Sequence, residues 1–235
     1  MQKIERYDRF EDGVIACIPT ILGYLGIGFA MGVVGKGIGL SIMDIIIMSI
    51  IVYAGSAQFI ICALLAINAP MTTIVATVFL VNLRHFLMSL SVAPYFKQTP
   101  FLSAIGIGSL LTDESYGVLT TALQQHKPVT AKWTHGLNLM AYLSWIFATF
   151  LGGLLGSFIP DPELLGLDFA LVAMFIGLFL FQVERPLKKK TRQTLLILTT
   201  VVVILVVSMV WTTAEVAVII ATLAGCLVGT VTHHG

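Results

Sequence analysis

Three short polar segments stand where the surrounding sequence is almost wholly apolar. NLRH at 82–85 lies inside an apolar run from Met71 to Phe96. A guanidinium at the centre of a membrane helix costs about 2.5–3.5 kcal/mol on insertion scales, so Arg84 must face protein or water and have a partner. It is either half of a structural ion pair or a seat for an anionic group. Asn82 and His85 are three apart and share one helix face, with Arg84 turned partly away unless the helix breaks there. His85 can titrate near neutral pH and carry a proton, or act as a hydrogen-bonding strut.

YAGSAQF at 53–59 places Tyr53, Ser56 and Gln58 inside a second apolar run, with Gly55 permitting unusual backbone angles. An unwound helix here must turn its freed N–H and C=O groups toward protein or a wet cavity. Transporters use such breaks to aim a half-helix N-terminus at an anionic group. Plain packing with interhelical hydrogen bonds is the other reading. TDESYG at 112–117 follows the run Leu102 to Leu111. Thr112 can cap a new helix with Asp113 and Glu114 in its first turn. Alternatively, one of these carboxylates faces a cavity and binds a cation, an ammonium or a proton. Asp44, Asp168 and Glu215 lie near span ends, where caps are the default.

The rest of the chemistry is sparse. There is no Gly-x-Ser-x-Gly, no His-Glu-x-x-His and no phosphate-binding Gly-Lys-Ser/Thr pattern. The chain is not expected to be an enzyme, and no cofactor or metal is expected. Cys17, Cys62 and Cys226 read as small packing residues, and His233 with His234 as a terminal tail.

The elements that must hold these groups are membrane helices. Of 235 residues, 57% are apolar and 11% charged, against about 45–50% and about 25% in soluble domains. A spanning helix takes about 20 apolar residues. The sequence therefore reads as an all-α polytopic membrane protein with about eight transmembrane segments, some discontinuous. It forms a single transmembrane domain over 1–235, with 1–12 as a cytoplasmic lead-in and no removable signal peptide. The segments run from Val14 to Val34, Leu40 to Ile67, Met71 to Phe96, Pro100 to Leu123, Trp133 to Phe158, Leu164 to Val183, Leu195 to Val210 and Ala214 to Val231. Breaks are expected at YAGSAQF, NLRH and TDESYG, and ERPLKKKTRQ at 184–193 is expected to be a loop. Gly23, Gly26, Gly28 and Gly32 give the first span a small-residue packing face.

Basic residues set the orientation. Lys3, Arg6 and Arg9, then Lys127 and Lys132, then Arg185, Lys188, Lys189, Lys190 and Arg192 fall on one side of an eight-span chain. Lys36, Lys97, Asp161 and Glu163 fall on the other. Both termini are expected in the cytoplasm. The net charge of +1 gives no bulk attraction to nucleic acid.

YAGSAQF, NLRH and TDESYG, in that order and spacing, resemble the AzlC family, the large subunits of bacterial branched-chain amino acid exporters. GVIACIPTILGYLGIGFAMG at 13–32, Trp145, and LGLDFALVAMF at 165–175 add to the likeness, which covers about Gly13 to Phe175. The resemblance implies a multi-pass protein of the bacterial inner membrane that exports valine, leucine, isoleucine or related amino acids. It implies drive by the proton gradient and a small hydrophobic AzlD-type partner subunit. In that setting Tyr53, Gly55, Ser56, Gln58, Asn82 and Arg84 would bind substrate, and Asp113, Glu114 and His85 would couple protons. Phe59 and Phe86 would shape the side-chain pocket. A passive channel for small polar solutes and a non-transporting membrane scaffold are the rival readings.

Overall fold

A computed structural model describes residues 7–124, 129–158, 169–212 and 214–233. Lys3, Arg6, Lys127, Asp161, Glu163, Asp168 and His234 lie outside the described residues, as do the side chains of Arg185, Glu215 and His233. The described residues are helical, without strands. The chain divides into two compact units, Met1–Phe175 and Ile176–Gly235.

The first unit is built on a close pairing of its first and last long helices. Helix α1 (Phe10–Ala16) runs through Cys17 into α2 (Ile18–Gly37), with Pro19 in the first turn of α2 where a missing N–H is tolerated. They lie along α8 (Ala131–Leu155). Gly13 meets Trp133 and Leu137, Gly28 meets Ala148, Gly32 meets Gly152 and Gly153, and Val33 meets Gly156. Both sets of numbers climb together, so the helices run parallel. A Cβ on Gly13 or Gly32 would collide with the carbonyl of Trp133 or Thr149. Close backbone approach of this kind is how small residues drive helix association where lipid offers no hydrophobic force. Two parallel helices require an odd number of crossings between them, which matches the three segments read between the first and fifth spans.

Two of those three segments are interrupted. The second consists of α3 (Ile42–Ile51) and α4 (Gly55–Ala66), separated by a tight turn in which Ala54 N donates to the Val52 carbonyl at 2.8 Å, with Ala54 itself extended. Ser41 and Asp44 form a reciprocal cap at the start of α3. The fourth segment consists of α6 (Phe101–Ser109) and α7 (Asp113–Gln124). Cutting a helix orphans its last carbonyls, and side chains take them here. Gln58 donates from Nε2 to the carbonyls of Val52 at 2.7 Å and Met48 at 3.2 Å, and Tyr142 donates to that of Ile50 at 3.0 Å. At the other break, buried Asn138 donates to the carbonyl of Ile107 at 3.0 Å.

The third segment corrects an expectation. Helix α5 (Met71–Val92) passes unbroken through NLRH. It contains neither Gly nor Pro, and Pro94 comes only in the 3-10 turn that follows. Polar side chains alone do not cut a helix whose backbone bonds are intact.

The second unit takes in the later part of α9 (Ala170–Lys189), α10 (Thr191–Met209) and α11 (Ala214–His233). The expected loop at 184–193 is mostly helix: α9 continues through Pro186, and the chain turns only around Lys190. A pair between Lys188 and Glu184, 2.6 Å and one turn apart, and basic residues in the last turn suit a helix end. Helices α10 and α11 form an antiparallel hairpin turned near Trp211, with Gly225 against Val201 and Gly229 against Ile197.

Candidate functional site

The two breaks and α5 bring the three polar segments to one place. The N-terminus of α4 and that of α7 both approach the middle of α5, under Tyr24 of α2 and Trp145 of α8. Tyr53, Gly55, Ser56, Arg84, His85, Asp113 and Glu114 all line one small chamber here, with Thr112. Seven of the nine residues expected to form the site thus share it.

Arg84 is its centre. Its Nη2 lies 2.9 Å from Asp113 Oδ2 and donates to Ser56 Oγ at 2.6 Å. Asp113 is only 11% exposed, so this is an ion pair largely out of water. Such a pair adds little net stability, while removing one partner strands a buried charge at a cost of about 3–5 kcal/mol. His85 Nε2 is 3.9 Å from the same Oδ2, too far for a hydrogen bond. The N-cap of α4 is Ala54, which gives no side-chain cap. The uncapped end of α4 and the guanidinium therefore both favour an anion at this spot.

A hydroxyl cluster continues from the acidic side. Tyr24 donates to Glu114 Oε2 at 2.9 Å and lies 2.7 Å from Thr112 Oγ1. Thr112 does cap α7 as expected: its Oγ1 accepts from Ser115 N at 3.4 Å, and Thr112 N donates to Ser115 Oγ at 2.9 Å. Capping and chamber lining are compatible, because the cap is made by Thr112 while the two carboxylates project elsewhere. They meet different neighbours, a guanidinium for Asp113 and a tyrosine hydroxyl for Glu114.

Trp145 closes the chamber. A Cβ on Gly55 would sit 2.7 Å from its Cη2, so only glycine lets the break approach the indole this closely. The indole N–H donates to Gln58 Oε1 at 3.1 Å, and Tyr24 packs edge-on at 5.0 Å. Gln58, fully buried, stands behind the wall: its amide serves Trp145 and the end of α3, with Ser49 and Thr149 bonded at 2.8 Å beside it. Asn82 lines an adjoining, wider cavity instead of the chamber. Phe86 is 60% exposed, and Phe59 is buried in the core.

The chamber itself measures about 10 Å³, room for about one water. In this conformation Arg84 is held by the protein's own carboxylate. Tyr24 is the chamber residue whose role the sequence did not single out; it sits on a helix face that only the α2–α8 packing reveals.

The family model described as AzlC protein matches residues 19–159, a stretch that holds every residue lining the chamber. The chain belongs to the AzlC family. AzlC-family relatives include an uncharacterized membrane protein of Helicobacter pylori, 31% identical over 77% of this chain and 78% of that one. The inner membrane protein YgaZ of Escherichia coli is 29% identical over 75% of this chain and 74% of its own length. The branched-chain amino acid transport protein AzlC of Bacillus subtilis is 30% identical over 70% of this chain and 64% of its own length. No solved structure matches the chain. The AzlC match ends before the α10–α11 hairpin, so the shared part is the part that carries the broken helices.

Proposed function

We propose that the protein is a membrane transporter that exports branched-chain and related apolar amino acids, driven by proton entry. The observation that carries this reading is the Arg84–Asp113 pair at two half-helix N-termini, deep in an apolar bundle. The name of the Bacillus subtilis relative, a branched-chain amino acid transport protein, points to the cargo class.

A zwitterion entering the chamber replaces one ion pair with two. Its carboxylate takes the planar fork of Arg84, beside Ser56 and the bare end of α4. Its ammonium faces the carboxylates of Asp113 and Glu114. A proton and an ammonium compete for those same carboxylates, and competition of this kind is what antiport needs: the cargo-loaded carrier sheds its proton, and the empty one takes it back. His85, beside Asp113, is the next group on the proton path. The closed chamber favours a carrier over a standing pore.

The working form is the large subunit of a pair with a small hydrophobic AzlD-type membrane protein, in the bacterial inner membrane with both termini cytoplasmic. The test is uptake of labelled leucine into inverted vesicles carrying this chain, with and without the small subunit, under an imposed proton gradient. Coupled, concentrative uptake is expected. Uptake that only equilibrates would point to a channel, and none with either preparation would leave a scaffold.

A further inference from the structure

A second cavity opens beside the chamber, between the break in α3–α4, the middle of α5 and the end of α6. Its volume is about 420 Å³, within the range of small-molecule sites of about 300–1,000 Å³. Tyr53, Ala54 and His85 line both spaces, so the two adjoin. The chamber is far too small for an amino acid, whereas this vestibule has room for one.

Its walls differ in chemistry. Tyr53, Asn82 and His85 contribute polar side chains, and Ile50, Val78 and Leu110 aliphatic ones, with Val78 on the same face of α5 as Asn82 and His85. The Tyr53 hydroxyl, Asn82 Oδ1 and His85 Nε2 are buried with no hydrogen-bond partner among the described residues. Native proteins pair nearly all buried polar atoms, and each exception calls for a reason. Asn82 lines the vestibule and not the chamber, and a ligand with N–H groups seated there supplies the missing partner of its Oδ1. Asn82 Oδ1 accepts from an ammonium there. Ile50, Val78 and Leu110 set aliphatic surface beside it. The walls are also preformed: Tyr142 packs edge-on to Tyr53 at 4.9 Å and bonds the Ile50 carbonyl.

We infer that the vestibule is the loading seat for the cargo and sets its side-chain selectivity, with Asn82 reading the ammonium and Val78 and Leu110 gauging the aliphatic chain. This rests on the export reading, and names the place where cargo waits before the Arg84–Asp113 pair opens. A pocket one methylene too small or too large discriminates about 10- to 200-fold, which suits a choice among apolar amino acids.

The experiment is equilibrium binding of labelled leucine and alanine to the purified full chain, alongside vesicle transport of both. Val78→Phe narrows the seat and is expected to weaken leucine binding about tenfold more than alanine binding. Leu110→Ala widens it and is expected to move preference toward phenylalanine, which keeps the idea testable should the first variant fold poorly. Asn82→Leu is expected to weaken leucine and alanine alike. Equal effects of Val78→Phe and Leu110→Ala on every amino acid would overturn the seat. The expected binding pattern without any gradient-driven transport would keep the seat and sink the export reading instead.

Discussion

The first unit and the α10–α11 hairpin are both apolar stretches that differ in how far their polar side chains reach. In the first, polar side chains reach across between elements: Arg84 to Asp113 and Ser56, Tyr24 to Glu114, Gln58 to the end of α3, Asn138 to the end of α6. In the hairpin, Thr200, Thr222 and Thr230 each donate to the carbonyl four residues back in their own helix. No residue of α10 is buried. The one amide there, Gln193, donates to Thr232 Oγ1 at 3.0 Å in an exposed setting. A hydroxyl that closes on its own helix needs nothing from its neighbours. A guanidinium or a cut helix end does, and the first unit is organised around supplying those partners.

The largest expected effect lies at the centre of that organisation. Arg84→Lys retains the charge but loses the fork that grips a carboxylate at two points. It is expected to reduce leucine transport at least about tenfold, with the protein still inserted at normal levels. Normal transport by this variant would leave Arg84 a purely electrostatic role.

The two glutamines give the sharpest contrast between the regions. Gln58→Leu strands the buried Trp145 N–H and removes the side-chain donor shared by the Met48 and Val52 carbonyls, at about 1–3 kcal/mol for an unsatisfied buried group. Thermal unfolding in detergent is expected to show a clear loss of stability, and transport should fall with it. Gln193→Leu, at the exposed end of the hairpin, is expected to stay within about 0.5 kcal/mol. Similar losses from both would mean that the hairpin is as tightly specified as the first unit.

A smaller effect compares two glycines. Gly55→Ala places a Cβ 2.7 Å from the Trp145 ring, whereas Gly229→Ala brings one to an ordinary 3.4 Å from Ile197. The first is expected to slow transport by displacing the indole, visible as a shift in tryptophan emission. The second is expected to be silent in both readouts.

How far the sequence revealed this depended on what each feature is made of. The breaks at Val52 to Ala54 and before Asp113 were legible because glycine and a cap sequence interrupt the helix locally. The break expected at NLRH was not there, since polarity without Gly or Pro leaves backbone bonds intact. Basic residues at 184–193 mark a water boundary, yet a helix can run on through such a boundary, and α9 does. Arg84 and Asp113 were legible singly as costly groups; their pairing belongs to the tertiary fold. Gln58 was expected within the YAGSAQF substrate segment, and where its amide bonds, at a helix end and the Trp145 N–H, belongs to the tertiary fold. Tyr24, hidden in a glycine-rich helix, and the vestibule, built from four helices, have no local signal at all.

Export driven by the proton gradient requires the chamber's carboxylates to couple proton to cargo. The most direct measurement pairs gradient-driven leucine export with leucine exchange at equal pH, for Asp113→Asn and Glu114→Gln, each normalised to folded protein in the membrane. These amides imitate protonated acids, so a coupling carboxylate predicts that driven export is abolished by at least one of them while exchange partly survives. Full driven export by both variants would contradict the account and pass the proton to His85. Export and exchange falling together, with lower protein stability, would reduce the pair to a capping and packing role.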